Sequence, residues 1–140
     1  MKATGIIRRI DDLGRVVIPK EIRRQMKIKE GDPLEIFTDG NKVCFERYNP
    51  IDTEKWETAL RIAKVMLPNT NFALLNRYGE VEKTNSNKSM VTIRNDYISA
   101  EIRVEGELEG YVQSLEPDVS NISFTDTAKV ISALFAEEGI

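Results

Sequence analysis

The chain has 140 residues, 41% of them apolar and 31% charged, and a net charge of −3. It has no apolar run of about 18 residues, and its start, MKATGIIRRIDDLG, lacks the apolar centre of a secretory signal, so neither a membrane span nor export is expected and the reading is cytoplasmic. There is no histidine and one cysteine, Cys44, which excludes an intrachain disulfide and any Ser-His or Cys-His nucleophile pair. Structural zinc is not expected, no GxGxxG or GxxxxGKS phosphate cradle occurs, and the reading carries no catalytic residue, metal or cofactor.

In chain order, Gly5 to Ile10 reads as a strand, Asp11 to Gly14 as a turn and Arg15 to Ile18 as a second strand. A helix follows, opened by Pro19, whose fixed φ suits a helix start and whose missing N–H is not needed there. In that helix Lys20, Arg23, Arg24 and Lys27 recur at i, i+3, i+4 and i+7, forming a basic stripe opposite Ile22 and Met26. Such a stripe is often no more than a solvated face. The distribution of charge along the chain argues for more. Residues 1–29 hold nine basic groups against three acidic ones, a net of +6, so residues 30–140 carry −9. A basic arm on an acidic protein suits one surface that approaches a polyanion while the rest repels non-specific contact. Arginine can bind phosphate and can also fork onto a guanine edge in the major groove.

Gly31, Asp32 and Pro33 end the helix, and Leu34 to Phe37 and Lys42 to Tyr48 read as a hairpin turning at Asp39 and Gly40. Cys44 lies in its second strand and reads as a packed apolar side chain. The first module is thus expected to be ββαββ, with a boundary near Tyr48 to Asp52. About 50 residues of short elements bury too little to be stable alone without a disulfide, a metal or a partner chain. A homodimer with one shared core is the physical expectation, and it would pair the basic stripes about a two-fold axis.

TGIIRRIDDLGRVVIPKEIRR followed by IKEGDPLEIF resembles the DNA-binding domain of the AbrB family of bacterial transition-state regulators, and the first 24 residues look most like its SpoVT branch. The resemblance covers residues 1 to about 50. It implies an interlocked, swapped-hairpin β-barrel dimer that contacts promoter DNA through arginines at the positions of Arg8, Arg15, Arg23 and Arg24. It further implies varied, often A·T-rich sites, which fits readout of shape and flexibility, and a place on the nucleoid in sporulation-linked regulation. Each arginine has a plainer role to weigh. Arg8 can simply face solvent, Arg15 can pair with Asp11 or Asp12 across the turn, and Arg23 and Arg24 diverge by about 100° around the helix. Arg9, Lys20 and Lys27 are expected to supply longer-range attraction.

The second module, 53–140, opens with a helix capped by Thr53 that carries Trp56, Ala59, Leu60, Ala63 and Leu67 on its core side. Asn71 to Asn76 and Glu80 to Thr84 read as a hairpin, and Asn85 to Asn87 as a polar loop. Ile98, Ala100, Ile102 and Val104 alternate with polar residues, marking a strand that pairs with Leu108 to Leu115 across Glu105, Gly106 and Glu107. A last helix is expected from about Phe124 to Glu138, with Ser123 and Asp126 forming an approximate capping box. This element order, with GELEGYVQSL, resembles a shortened GAF-like sensory domain. Oligomerisation, up to a tetramer, is the main role expected of it, and a small-molecule effector a lesser one.

The fold class expected is therefore α+β, and the function a non-enzymatic DNA-binding regulator that acts as a homodimer or tetramer. By family inference it represses at some promoters and activates at others. The competing reading is an antitoxin-like protein that neutralises a partner through its C-terminal region, which would then be an extended tail. The alternating and helical periodicity past residue 52 speaks for a folded module instead.

Overall fold

In the computed structural model, residues 3–87, 91–117 and 119–137 are described. The chain divides into two compact units, Met1–Tyr48 and Asn49–Ile140. Both combine helix with antiparallel sheet, so the class is α+β.

In the first unit, helix α1 spans Lys20–Gln25, and strands β1 (Leu34–Asp39) and β2 (Lys42–Arg47) form a two-stranded hairpin with Leu34 opposite Arg47 and Asp39 opposite Lys42. Two of the four expected strands do not form: residues 5–10 and 15–18 belong to no ladder. Both stretches are rich in β-branched residues (Ile6, Ile7, Ile10, Val16, Val17, Ile18), but among the described residues no strand pairs with them. Ile7 is 85% exposed, Val17 70% and Ile36 64%. Among residues 3–48 no side chain is buried.

Helix α1 is also shorter than the basic stripe requires. Pro19 stands just before its first residue. At the other end Ile28 donates its N–H to the Arg23 carbonyl (2.8 Å) and Lys27 to that of Arg24 (3.2 Å), the bond pattern of a Schellman stop. Lys27 adopts the left-handed conformation this stop needs, with φ 55°. It therefore leaves the helix, and the expected i+7 member of the stripe is displaced from it.

The second unit has a core of its own. Helix α2 (Thr53–Met66) and helix α3 (Asn121–Ala136) pack against a four-stranded antiparallel sheet of β3 (Phe72–Asn76), β4 (Val81–Thr84), β5 (Ser99–Val104) and β6 (Glu107–Ser114), in the order β4-β3-β6-β5. Phe72 and Leu74 of β3, Ala100 and Ile102 of β5 and Val112 of β6 meet Trp56, Ala59 and Ala63 of α2 and Phe124, Ala128, Ile131 and Phe135 of α3. The strands read from alternation are present, and Val104 joins β5 to β6 through Glu105 and Gly106, both at positive φ as a two-residue hairpin turn requires.

Two helix starts differ from expectation. The cap of α2 is Asp52, whose carboxylate accepts the Lys55 N–H at 2.9 Å, and Thr53 is the first helical residue. Helix α3 begins three residues before Phe124, with Ser120 at the cap position and no side-chain cap bond, so Ser123 and Asp126 form no capping box. Ile122 in its first turn is 74% exposed, so the apolar periodicity becomes visible only where the helix meets the sheet. Lys55 ties the two helices together by donating to the carbonyls of Phe135 (3.3 Å) and Glu137 (2.7 Å) at the end of α3. Glu138, the expected last residue of that helix, lies outside the described residues.

Candidate nucleic-acid interface

Arg15 follows the 11–14 turn, Lys20, Arg23 and Arg24 lie on α1, Arg8 and Arg9 precede the turn, and Lys27 follows α1. Asp11 builds the turn. Its Oδ1 accepts the N–H groups of Leu13 (2.9 Å) and Arg15 (2.8 Å), while its main chain exchanges bonds with Arg15 (3.0 Å) and Gly14 (3.1 Å). Gly14 closes the turn at φ 78°, where a side chain would be strained. The second carboxylate oxygen of Asp11 accepts Nε of Arg15 at 2.8 Å. The pairing left open between Asp11 and Asp12 is thus made by Asp11. The Arg15 N–H, followed by the Arg15 side chain, holds the Asp11 carboxyl below the ordinary aspartate range.

Arg23 is held in a similar way, with its Nε donating to the Ile18 carbonyl at 3.1 Å. Both guanidinium groups are anchored at Nε, and their terminal N–H groups make no further bond among the described residues. Those terminal groups are the fork that recognises phosphate or a guanine edge in two-bond fashion. Arg8 donates one Nη1 bond to the Ile7 carbonyl at 3.1 Å. Arg24 is exposed in the last turn of α1 and makes no ion pair among the described residues. Arg9, Lys20 and Lys27 are exposed as well, Lys20 at the first helical position and Lys27 past the last.

Beside these groups lies an open groove of about 410 Å³, lined by Ile6, Val16, Ile18, Ile22, Met26 and Phe45 among others, with Arg8 also on its wall. Its lining is mainly apolar, unlike a phosphate-binding surface. Among the described residues no group of three His, Cys, Asp or Glu side chains is placed to hold a metal ion, and no helix is long and apolar enough to cross a membrane. The structural role of Asp11 had a signal in the sequence, since an aspartate three residues before a glycine is a common turn builder.

Residues 7–44 match the family model of the antidote-toxin recognition protein MazE, a bacterial antitoxin. The N-terminal segment is accordingly a domain of the MazE/AbrB type. Within that class it is similar to stage V sporulation protein T of Bacillus subtilis (strain 168), with 71% identity over 52 residues that make up 36% of this chain and 29% of that protein. It is also similar to the transition state regulatory protein AbrB of the same organism, with 54% identity over 50 residues, 36% of this chain and 52% of AbrB. Among solved structures, the N-domain of the transcription factor AbrB shares 53% identity over 36% of this chain and 98% of that domain, with a TM-score of 0.34. The chain thus spans about a third to a half of the length of these curated relatives.

Proposed function

We propose that the chain is a sequence-tolerant DNA-binding transcription regulator of the AbrB/SpoVT type, homodimeric through residues 1–50 and holding promoter DNA through Arg8, Arg15, Arg23 and Arg24. The observation that carries this reading is the anchoring of Arg15 and Arg23 at Nε, which aims two exposed forks outward from a segment of net charge +6. It is supported by the 52% identity of this segment to the N-terminal DNA recognition domain of the B. subtilis regulator AbrB. Arg9, Lys20 and Lys27 add electrostatic attraction, and A·T-rich promoters on the nucleoid are the targets favoured. The homodimer is supported by the absence of any buried side chain among residues 3–48: a second copy that paired with residues 5–10 and 15–18 and filled the groove beside Ile22 and Phe45 would complete a core. Residues 53–140 act as a GAF-like module for oligomerisation, and the exposed Val65, Ile122 and Val130 on its two helices favour tetramer formation.

The test is fluorescence anisotropy of the full chain on A·T-rich promoter duplexes across a salt series. Arg15→Ala and Arg23→Ala should each weaken binding about 10- to 100-fold and flatten the salt dependence. Equal binding by wild type and both variants at every salt concentration would refute the assigned surface. Sedimentation of the full chain should give at least a dimer.

The MazE description of residues 7–44 favours a second reading, an antitoxin-like protein, in which the C-terminal region would be the part that neutralises a partner. The buried core around Trp56, Phe72 and Phe124 opposes an extended tail. Limited proteolysis separates the two readings, because a tail would be lost rapidly past residue 52 and a folded module would persist.

A further inference from the structure

Asp11 carries three bonds to Arg15, and each has a different consequence. The main-chain pair (3.0 Å) and the bond from the Arg15 N–H to Oδ1 (2.8 Å) shape the turn. The third, from Nε to Oδ2 at 2.8 Å, contributes nothing to the backbone and acts only on the side chain. Arg15 remains 69% exposed with this bond in place, against 38% for Asp11. A long side chain on a turn would otherwise sample many rotamers, and contact with a ligand would have to freeze them. Holding the guanidinium at Nε fixes the direction of its plane while leaving both terminal nitrogens open.

We infer that Asp11 is a positioning residue for sequence preference: its Oδ2 orients the Arg15 fork before DNA arrives, so that Asp11 raises selectivity although its charge repels the polyanion. This rests on the DNA-binding role proposed for Arg15. The two effects of Asp11 have opposite signs, and that makes them separable. As a bare negative charge, Asp11 weakens binding to every duplex, and its removal tightens all of them alike. As an orienting group, it strengthens binding where the fork finds its two acceptors, and its removal weakens that duplex in particular.

Asp11→Asn isolates the orienting bond. The amide oxygen still accepts the Leu13 and Arg15 N–H groups, but the amide nitrogen in place of Oδ2 cannot accept from Nε. Asp12→Asn is the charge control, because Asp12 makes no ion pair among the described residues. The full chain is measured by anisotropy on a duplex selected by the wild type from a randomised pool, and on a scrambled duplex of the same composition. The variants are Asp11→Asn, Asp12→Asn, Arg15→Ala and the Asp11→Asn/Arg15→Ala double.

Asp11→Asn should weaken binding to the selected duplex about tenfold, lower the selected-to-scrambled ratio, and cause no further loss once Arg15 is alanine. Asp12→Asn should leave the ratio unchanged. Equal tightening on both duplexes by Asp11→Asn, or a tenfold loss that persists in the Arg15→Ala background, overturns the inference. Wild-type behaviour of Arg15→Ala overturns both the inference and the contact role of Arg15, whereas a loss in Arg15→Ala with a silent Asp11→Asn overturns the inference alone. Nuclear magnetic resonance gives a check that needs no Asp11 variant: the Arg15 Nε–H signal of the wild type should be protected from solvent exchange both free and DNA-bound, and rapid exchange in the free chain would refute the hold.

Discussion

Gly110 in β6 offers the sharpest test of the second unit. A Cβ at this position would lie 2.3 Å from the Leu75 carbonyl oxygen and 3.0 Å from Cη2 of Trp56. The Leu75 carbonyl would have to retreat by about 0.7 Å merely to reach 3.0 Å, the shortest distance at which such contacts are found. That retreat is resisted, because Leu75 lies in β3, a central strand paired with β4 on one side and β6 on the other. Trp56 gives no way out on the other side, being 2% exposed and in edge contact with the Phe135 ring at 4.9 Å. Gly110→Ala should therefore cost about 3 kcal/mol, the upper end of the usual range for overpacking. For a unit of this size that lowers Tm by roughly 12 to 24 °C. Trp56 is the chain's single tryptophan and touches the site, so thermal melts followed by its fluorescence report on this unit selectively. Gly79→Ala is the companion measurement. Gly79 sits at φ 79° with nothing within 4 Å of its Cβ position, so its cost is backbone strain alone, about 1 to 2 kcal/mol. A Tm for Gly110→Ala above that of Gly79→Ala would refute the steric argument.

Asp52→Ala removes the side-chain cap of α2 and should destabilise the second unit by about 1 kcal/mol in urea unfolding followed at Trp56. Burial raises the Glu109 carboxyl above its ordinary range, and its Oε2 is buried without a hydrogen-bond partner among the described residues. A carboxyl whose folded pKa is raised favours folding when protonated, and this contribution is lost as pH rises through the folded pKa. Glu109→Gln should accordingly raise Tm at neutral pH, with the difference from wild type closing in acid; a gap independent of pH would count against burial as the cause. Lys27→Gly should stabilise the first unit by up to about 1 kcal/mol by relieving the left-handed φ at the end of α1, as read from circular dichroism at fixed chain concentration, while weakening the proposed DNA binding only modestly.

The second unit was legible in the sequence wherever an element packs against its own core. The alternation of Ile98 to Val104 gives β5, and Trp56, Ala59 and Ala63 give the buried side of α2. Legibility fails at the edges. Asp52 and Thr53 are both competent caps, and only the extended backbone of Asp52 at φ −78° and ψ 170° decides between them. In the first turn of α3 the apolar Ile122 is exposed and only Phe124 is buried, so the apolar pattern marks the core side only from Phe124 on. In the first unit the β-branched runs of residues 5–10 and 15–18 read as strands, yet a strand needs a neighbour as well as a pattern, and the described residues of one copy do not provide it. The arginines were legible as charges. That Arg15 and Arg23 are held at Nε was not, because the acceptors are one side-chain oxygen and one main-chain carbonyl whose placement depends on the turn and the helix entry.

The lack of a buried side chain in residues 3–48 separates the two halves of the chain thermodynamically. The second unit carries its own core, so it can fold without a second copy, and its melting point should vary with protein concentration only as far as oligomerisation through this module adds to that core. If a second copy supplies what the first unit lacks, that unit folds by mass action, and each tenfold dilution removes about 1.4 kcal/mol of its stability. Below the dissociation threshold, halving the supply of chains leaves fewer than half of the folded first units. A regulator assembled on that plan responds to its own abundance more steeply than in proportion, and the steepness comes from incomplete burial in a single copy.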